Sequence, residues 1–272
     1  MLDERKEEAF CTILREELQL ATGCTEPIAV ALCVAKATEI LGTEPERIVA
    51  RLSANILKNA MGVGIPGTGM IGLPIAIALG ALIGKSAYRL EVLRDVDAEA
   101  VARGKRYVDE KRITIGLKEG IEEKLYIEIE AAAGDHTAVA VIAGGHTNFV
   151  FEARDGQSQL DRRGASAGEE EQNGPALSLR RVYDFAMTTP LDELRFILET
   201  RRLNKAAAEQ SFKGDYGHCL GKTLRHDREL KVLGDSVFLR MLSYTSAACD
   251  ARMAGAMIPV MSNSGSGNQG IA

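Results

Sequence analysis

"KLYIEIEAAAGDHTAVAVIAGGHTNFVFEA", residues 124 to 153, is the stretch that decides the fold. Residues 124–131 alternate apolar and polar side chains; 136–143 follow a Gly-Asp turn and 146–153 follow a Gly-Gly turn. Alternation with a period of two puts one face of each segment on a core, and short turns join neighbours antiparallel. The stretch predicts a meander of three antiparallel strands. Upstream, "RIVARLSANILK" (47–58) predicts a strand running into a glycine-rich loop, and "YRLEVL" (88–93) alternates like a further strand.

The rest of the chain reads as helical. Residues 3–20 place Phe10, Ile13, Leu14 and Leu18 on one stripe, with Glu17 at its edge. "TGCTEP" breaks that helix, and Pro27 suits the first turn of the next. That next helix, about 26–41, is apolar nearly all round and is expected to be buried. Residues 97–112 predict a surface helix. No charge falls between Lys58 and Lys85, a length that could span a bilayer. Its first half is dense in glycine and carries Pro66, with Pro74 following, so only 73–83 reads as strongly apolar helix. A buried loop and a core helix are expected there.

Residues 155–176, "DGQSQLDRRGASAGEEEQNGPA", lose almost all apolar content. A linker or mobile loop is expected over 156–176, dividing an α+β domain (1–155) from a helical part (177–272). In that part Thr189 is expected to cap a helix with Pro190 at its first position, and a second helix is expected over about 235–257. The fold class is therefore α+β: N-terminal helices packed on a mainly antiparallel sheet, then a helical C-terminal part.

Lys and Arg number 33 and Asp and Glu 38, so the net charge is 33 − 38 = −5. That is no footprint for nucleic acid, and with no Trp and 5% aromatic residues there is no stacking platform for single strands. Five cysteines, Cys11, Cys24, Cys33, Cys219 and Cys249, form no CxxC. The odd count fits a reducing cytoplasm better than a disulfide framework. The charged N-terminus, with no basic region ahead of an apolar run, is not expected to be a signal peptide. A cytoplasmic protein with a small-molecule partner, no nucleic acid and no membrane is expected.

Four features carry candidate chemistry. Cys24 sits where the free N–H groups and positive end of a helix favour a thiolate, though a small residue in a tight turn is the alternative. Cys11 and Cys33 read as core packing. The run 55–70, "NILKNAMGVGIPGTGM", lets backbone N–H groups approach an anion, and Lys58 and Asn59 add a charge and an amide. It lacks the lysine of a Walker loop, and a structural glycine loop is equally open. "SNSGSGNQG" (262–270) offers donors to a carboxylate; a flexible tail is the alternative, against which the preceding "AGAMIPVM" argues. His136 and His146 open strands after turns and are either turn residues or proton and metal groups. Asp250 and Arg252 are expected to pair with each other or with neighbours.

"TGCTEP", "ANILKNAMGVGIPGTGMIGLPIAIALGAL" and "DARMAGAMIPVMSNSGSGNQGI" occur in that order. The combination resembles the L-cysteine desulfidase family, related to the iron–sulfur L-serine dehydratases through their alpha chain. The resemblance runs from about Ala21 to Ala272. It implies a 4Fe–4S enzyme without pyridoxal phosphate, in which three cysteines hold the cluster and one iron acts as a Lewis acid. Cys24 matches the first ligand. Ser262, Asn263, Ser264, Gly265, Ser266, Gly267, Asn268 and Gln269 would bind the charged ends of an amino acid, with Lys58, Asn59 and Thr68 in the same pocket. No residue is assigned as the base. The reaction implied is elimination of sulfide from L-cysteine, leaving pyruvate and ammonia.

L-Serine dehydration is the related alternative. The family's other two cluster cysteines lie beyond the 262–270 loop, and Cys219 and Cys249 do not match them. The 272 residues are therefore expected to be a truncation or one part of a split enzyme, with the cluster incomplete or absent. Exposed apolar surface is then expected to invite a complementing C-terminal chain or a homo-oligomer. Two other readings are a pyridoxal phosphate enzyme with Lys58 or Lys222 as Schiff base, and a non-catalytic amino-acid-binding fragment.

Overall fold

The computed structural model describes residues 4–163, 177–230 and 236–272. Its elements in chain order are α1 (Glu4–Glu17), β1 (Leu18–Thr22), α2 (Thr25–Leu41), β2 (Arg47–Leu52), α3 (Ala54–Ala60), α4 (Leu73–Leu82) and α5 (Ala98–Asp109). There follow β3 (Ile113–Leu117), β4 (Tyr126–Ala133), β5 (His136–Ala143), β6 (Phe149–Arg154) and β7 (Gln157–Asp161). The last group is α6 (Leu179–Thr188), α7 (Leu198–Ser211), α8 (Leu220–Leu230), α9 (Val237–Met253), β8 (Pro259–Asn263) and α10 (Gly267–Ile271).

The expected meander is β4–β5–β6, at the centre of a sheet ordered β3-β2-β4-β5-β6-β7. Only β2 and β3 run parallel. Alternation sends Ile48, Ala50, Leu52, Ile127, Ile129, Ala138, Ala140 and Ile142 to one buried face. The other face carries a charged ladder, in which Arg51 Nη1 meets Glu128 Oε1 at 2.9 Å and Lys118 Nζ meets Glu128 Oε2 at 2.7 Å. Among the described residues the helices α2 and α4 cover the apolar face. Helix α2 lies between that face and α4, which is why it is apolar all round. The uncharged stretch after Lys58 becomes the half-buried glycine loop and the buried helix α4. No helix among the described residues is long and apolar enough to cross a membrane.

The structure departs from the sequence reading at five places. The strand expected over 47–58 stops at Leu52, and Ser53, whose hydroxyl accepts from Ile56 N, opens helix α3 instead. Residues 18–22 leave the helical pattern because they pair antiparallel with β8, Leu18 opposite Asn263 and Thr22 opposite Pro259. Residues 86–91 form a 3-10 turn rather than a strand: Leu90, Val92 and Leu93 are all buried, which a two-residue alternation cannot achieve. Thr189 closes α6, its N–H bonded to Phe185 O at 3.0 Å, instead of opening a helix; α7 begins at Leu198 after a 3-10 turn over Arg195–Ile197. Residues 157–161 of the expected linker form β7 on the sheet edge, and 164–176 lie outside the described residues.

The C-terminal layer has its own small core. Ala207 and Ala208 of α7 and Ala247 and Ala248 of α9 join Val260 and Ile271 in it. Phe10 of α1 stacks on Phe185 of α6 with ring centroids 5.0 Å apart, and the Ser262 hydroxyl donates to Gln19 O at 2.7 Å. The first elements of the chain thus sit on its last ones, and β1 runs from that contact straight into Cys24.

Candidate functional site

Five segments remote in sequence meet around a cavity of about 330 Å³. The start of α2 contributes Cys24, Thr25 and Glu26; α3 contributes Asn59, and the β5–β6 turn contributes His146. The end of α9 contributes Arg252 and Met253, and the loop after β8 contributes Ser264 through Asn268.

Close backbone approach brings them together. Gly23 turns the chain with φ +79, a left-handed conformation that favours glycine, and delivers Cys24 as the residue before the first turn of α2. A Cβ on Gly23 would lie 2.5 Å from Pro66 Cγ, so this turn seats on the glycine loop. That loop crosses the end of α9: Gly64 N donates to Met253 O at 2.9 Å, and a Cβ on Gly64 would lie 2.3 Å from Ala254 C and O. Gly64 and Gly67 serve close loop packing, and none of the loop's glycines lines the cavity. The loop after β8 is held by Asn204, buried on α7, whose amide donates to Met261 O and Gly270 O while its oxygen accepts from Met261 N.

The electrostatics are uneven across the cavity. Glu26 Oε2 accepts from the Cys24 thiol at 2.9 Å and from Thr25 Oγ1 at 3.1 Å; Oε1 accepts from Asn59 Nδ2 at 3.4 Å. Burial works to raise the Glu26 carboxyl. The Cys24 bond, its own backbone N–H, the field of His146 and the Thr25 bond together outweigh it and hold the group below its ordinary range. Burial pushes the Cys24 thiol up to about 12; Arg252 pulls against this, and Glu26 adds to it. Without a metal, burial and the neighbouring Glu26 carboxylate favour the Cys24 thiol over the thiolate suggested by the helix start. A coordinating metal would reverse the order. His146 is held low by burial and by Arg252, against Glu26.

Arg252 is only 4% exposed. Its Nη1 donates to Asn268 Oδ1 at 2.8 Å, while Nε is buried with no acceptor. Of the two pairings left open by the sequence, Asp250 and Arg252 do not meet each other but bond to other residues: the Asp250 carboxylate accepts from Gly221 N at 3.0 Å.

Of the residues expected from sequence, Cys24, Asn59, Ser264, Gly265, Ser266, Gly267 and Asn268 line the cavity. Ser262, Asn263, Gln269, Lys58 and Thr68 do not. Ser262 is buried in β8, and Asn263 pairs with Leu18. Thr68 Oγ1 is spent on Ile65 O at 2.7 Å inside its own turn, and Lys58 is exposed on α3. Lys222 pairs with Asp215 at 2.7 Å, away from Cys24. Glu26, Thr25, Arg252 and Met253 were not singled out by the sequence. Glu26 reads there as an ordinary first-turn acid, and Arg252 as one half of a local ion pair. The two histidines separate: His136 meets Asp155 at 3.0 Å on an exposed hairpin, whereas His146 faces the cavity.

Cys24 is the one cysteine lining the cavity. Cys33 donates to Ala140 O at 3.3 Å in the main core, and Cys249 packs on the C-terminal core. Among the described residues no group of three or more His, Cys, Asp or Glu side chains is placed to hold a metal. A cluster that needs three thiolates does not fit these residues alone.

The family described as "serine dehydratase alpha chain" matches residues 87–272. A UPF0597 protein of Bacteroides fragilis is 66% identical over 271 residues, covering 100% of this chain and 63% of its own. A UPF0597 protein of Porphyromonas gingivalis is 49% identical over 99% of this chain and 64% of its own. One from Chromobacterium violaceum is 45% identical over 97% and 61%. The chain spans a little under two thirds of the length of these relatives. No solved structure matches it significantly.

Proposed function

Because the chain belongs to the serine dehydratase alpha chain family, we propose that it forms the amino-acid-binding part of a lyase that removes the β-substituent of a small L-amino acid. The substrate proposed is L-cysteine, with L-serine as the alternative. Loss of the Cα proton and cleavage of the Cβ–S bond give hydrogen sulfide and 2-aminoacrylate. Water then converts the latter to pyruvate and ammonia. The observation that carries this reading is the meeting of Cys24 with the Ser264–Asn268 loop around one small cavity. The loop's hydroxyls and amides suit the polar ends of an amino acid. The described residues offer one thiol, so an iron–sulfur cluster here would take further ligands from residues beyond these or from another chain.

A second reading is a non-catalytic amino-acid-binding chain completed by a partner or by a second copy. Val237, Phe238 and Met241, at the start of α9, favour it, because all three are exposed.

The test is anaerobic reconstitution of the protein isolated from its native host, with iron content and pyruvate measured together. Cys24→Ala should lose iron and pyruvate formation, while Cys33→Ala should keep both. Unchanged iron and activity in Cys24→Ala would remove Cys24 from the site. Amino-acid binding without pyruvate would favour the second reading.

A further inference from the structure

We propose that Arg252 is the residue that takes the carboxylate of the ligand in this cavity, with Gly267 and Asn268 shaping its seat. An arginine stays charged at any physiological pH, and a buried charge is retained only where something compensates it. Among the described residues, arginines such as Arg51 and Arg112 find their carboxylates near the surface, at 2.9 Å and 2.6 Å. Arg252 is buried, lines the cavity, and has no carboxylate within ion-pair distance among those residues. Glu26, the acid lining the same cavity, has its oxygens engaged by Cys24, Thr25 and Asn59. The unfilled demand is for an anion from outside the chain.

The seat is built for a guanidinium. A Cβ on Gly267 would fall 2.2 Å from Arg252 Nε and 2.4 Å from Cζ, so the plane lies against bare backbone. Asn268 Oδ1 takes one Nη1 proton and Nε is left without a partner. A planar fork with spare donors matches a carboxylate, which can accept two parallel bonds from it. A cavity of about 330 Å³ is at the small end for ligand sites. Glu26 lines the same cavity, so it suits a compact molecule carrying both a carboxylate and an ammonium. The proposal rests on the amino-acid reading only for that second group; a plain monocarboxylate suffices for Arg252.

The wild-type protein, labelled with ¹⁵N-arginine, carries the test. The Nε–H signal absent from Arg252→Lys is assigned to Arg252. It is then followed during titration with propionate, L-alanine and isopropylamine, none of which can undergo the elimination. Propionate and L-alanine should move it and isopropylamine should not. Arg252→Lys and Arg252→Gln should weaken L-alanine binding about 10- to 100-fold, the range expected for a lost charge-assisted contact. A signal that shifts with propionate while L-alanine fails to bind supports Arg252 and sinks the amino-acid reading. L-Alanine binding with an unmoved Arg252 signal overturns Arg252 and leaves the amino-acid reading standing. No shift with either carboxylate at tens of millimolar also overturns it.

Discussion

Replacing Gly64 with alanine puts a methyl carbon where the end of α9 already is. The added Cβ would lie 2.3 Å from both C and O of Ala254 and 2.7 Å from Gly255 N. Carbon contacts settle near about 3.5 Å, so loop and helix end must part by roughly 1 Å. Gly64 does not have a positive φ, so alanine brings no backbone strain of its own there. The crossing carries two hydrogen bonds, Gly64 N to Met253 O at 2.9 Å and Gly67 N to Gly255 O at 3.3 Å. Losing them costs about 1 kcal/mol each, and the overpacking adds about 1–3 kcal/mol. The sum, about 3–5 kcal/mol, corresponds to a fall in Tm of about 10 °C for a chain of this size. Gly62→Ala is the matched control, since a Cβ there meets nothing within 4 Å. Thermal melts of the two variants side by side decide the matter. A Gly64→Ala melt within about 2 °C of Gly62→Ala would refute the claim that this loop exists to let two backbones touch.

Two further expectations concern the parts that hold the site and the sheet. Asn204→Ala removes three hydrogen bonds to the backbone around β8 and α10. It should cost about 3 kcal/mol and speed amide exchange over 259–271, and unchanged exchange there would show that Asn204 does not clamp the loop. Glu128 is raised by burial but lowered more by hydrogen bonds from Lys118 and Tyr126, by the charge of Lys118 and by a bond from Arg51. Its folded value lies below the ordinary 4.5, so its stabilising contribution is full above that value and is lost as pH falls through the depressed one. Urea titrations should therefore show a stability gap between wild type and Glu128→Gln at pH 6 that closes toward pH 3. A constant gap contradicts the assignment.

Much of this was legible along the chain. The alternation in 124–153 specifies three strands and which residues face inward, because period-two patterning is a local consequence of the pleat. The all-round apolarity of residues 26–41 required a helix buried on every side, and α2 has the sheet on one side and α4 on the other. Cys24, Asn59 and the 264–268 stretch were singled out by residue type and setting. Arg252 could not be found that way. Asp250 lies two residues before it, and local reasoning pairs them, yet Asp250 is taken by Gly221 of α8, 29 residues away. For a related reason the sequence shows only part of what acts on the Cys24 thiol. A helix start is visible in sequence, whereas the desolvation that dominates it comes from packing.

Sequence by itself determined β2, the β4–β6 meander, the core helices and the polar loop, since each follows from spacing and side-chain chemistry within a few residues. Tertiary structure decided which of these meet. The pairing of β1 with β8 joins residues 18 and 263, and the Gly64 crossing sets the end of α9 beside Cys24. Contacts of that range depend on where remote backbones can approach, and on the charge a buried side chain is left with once they have. That is why the cavity, and the arginine within it, belong to the fold rather than to any stretch of the chain.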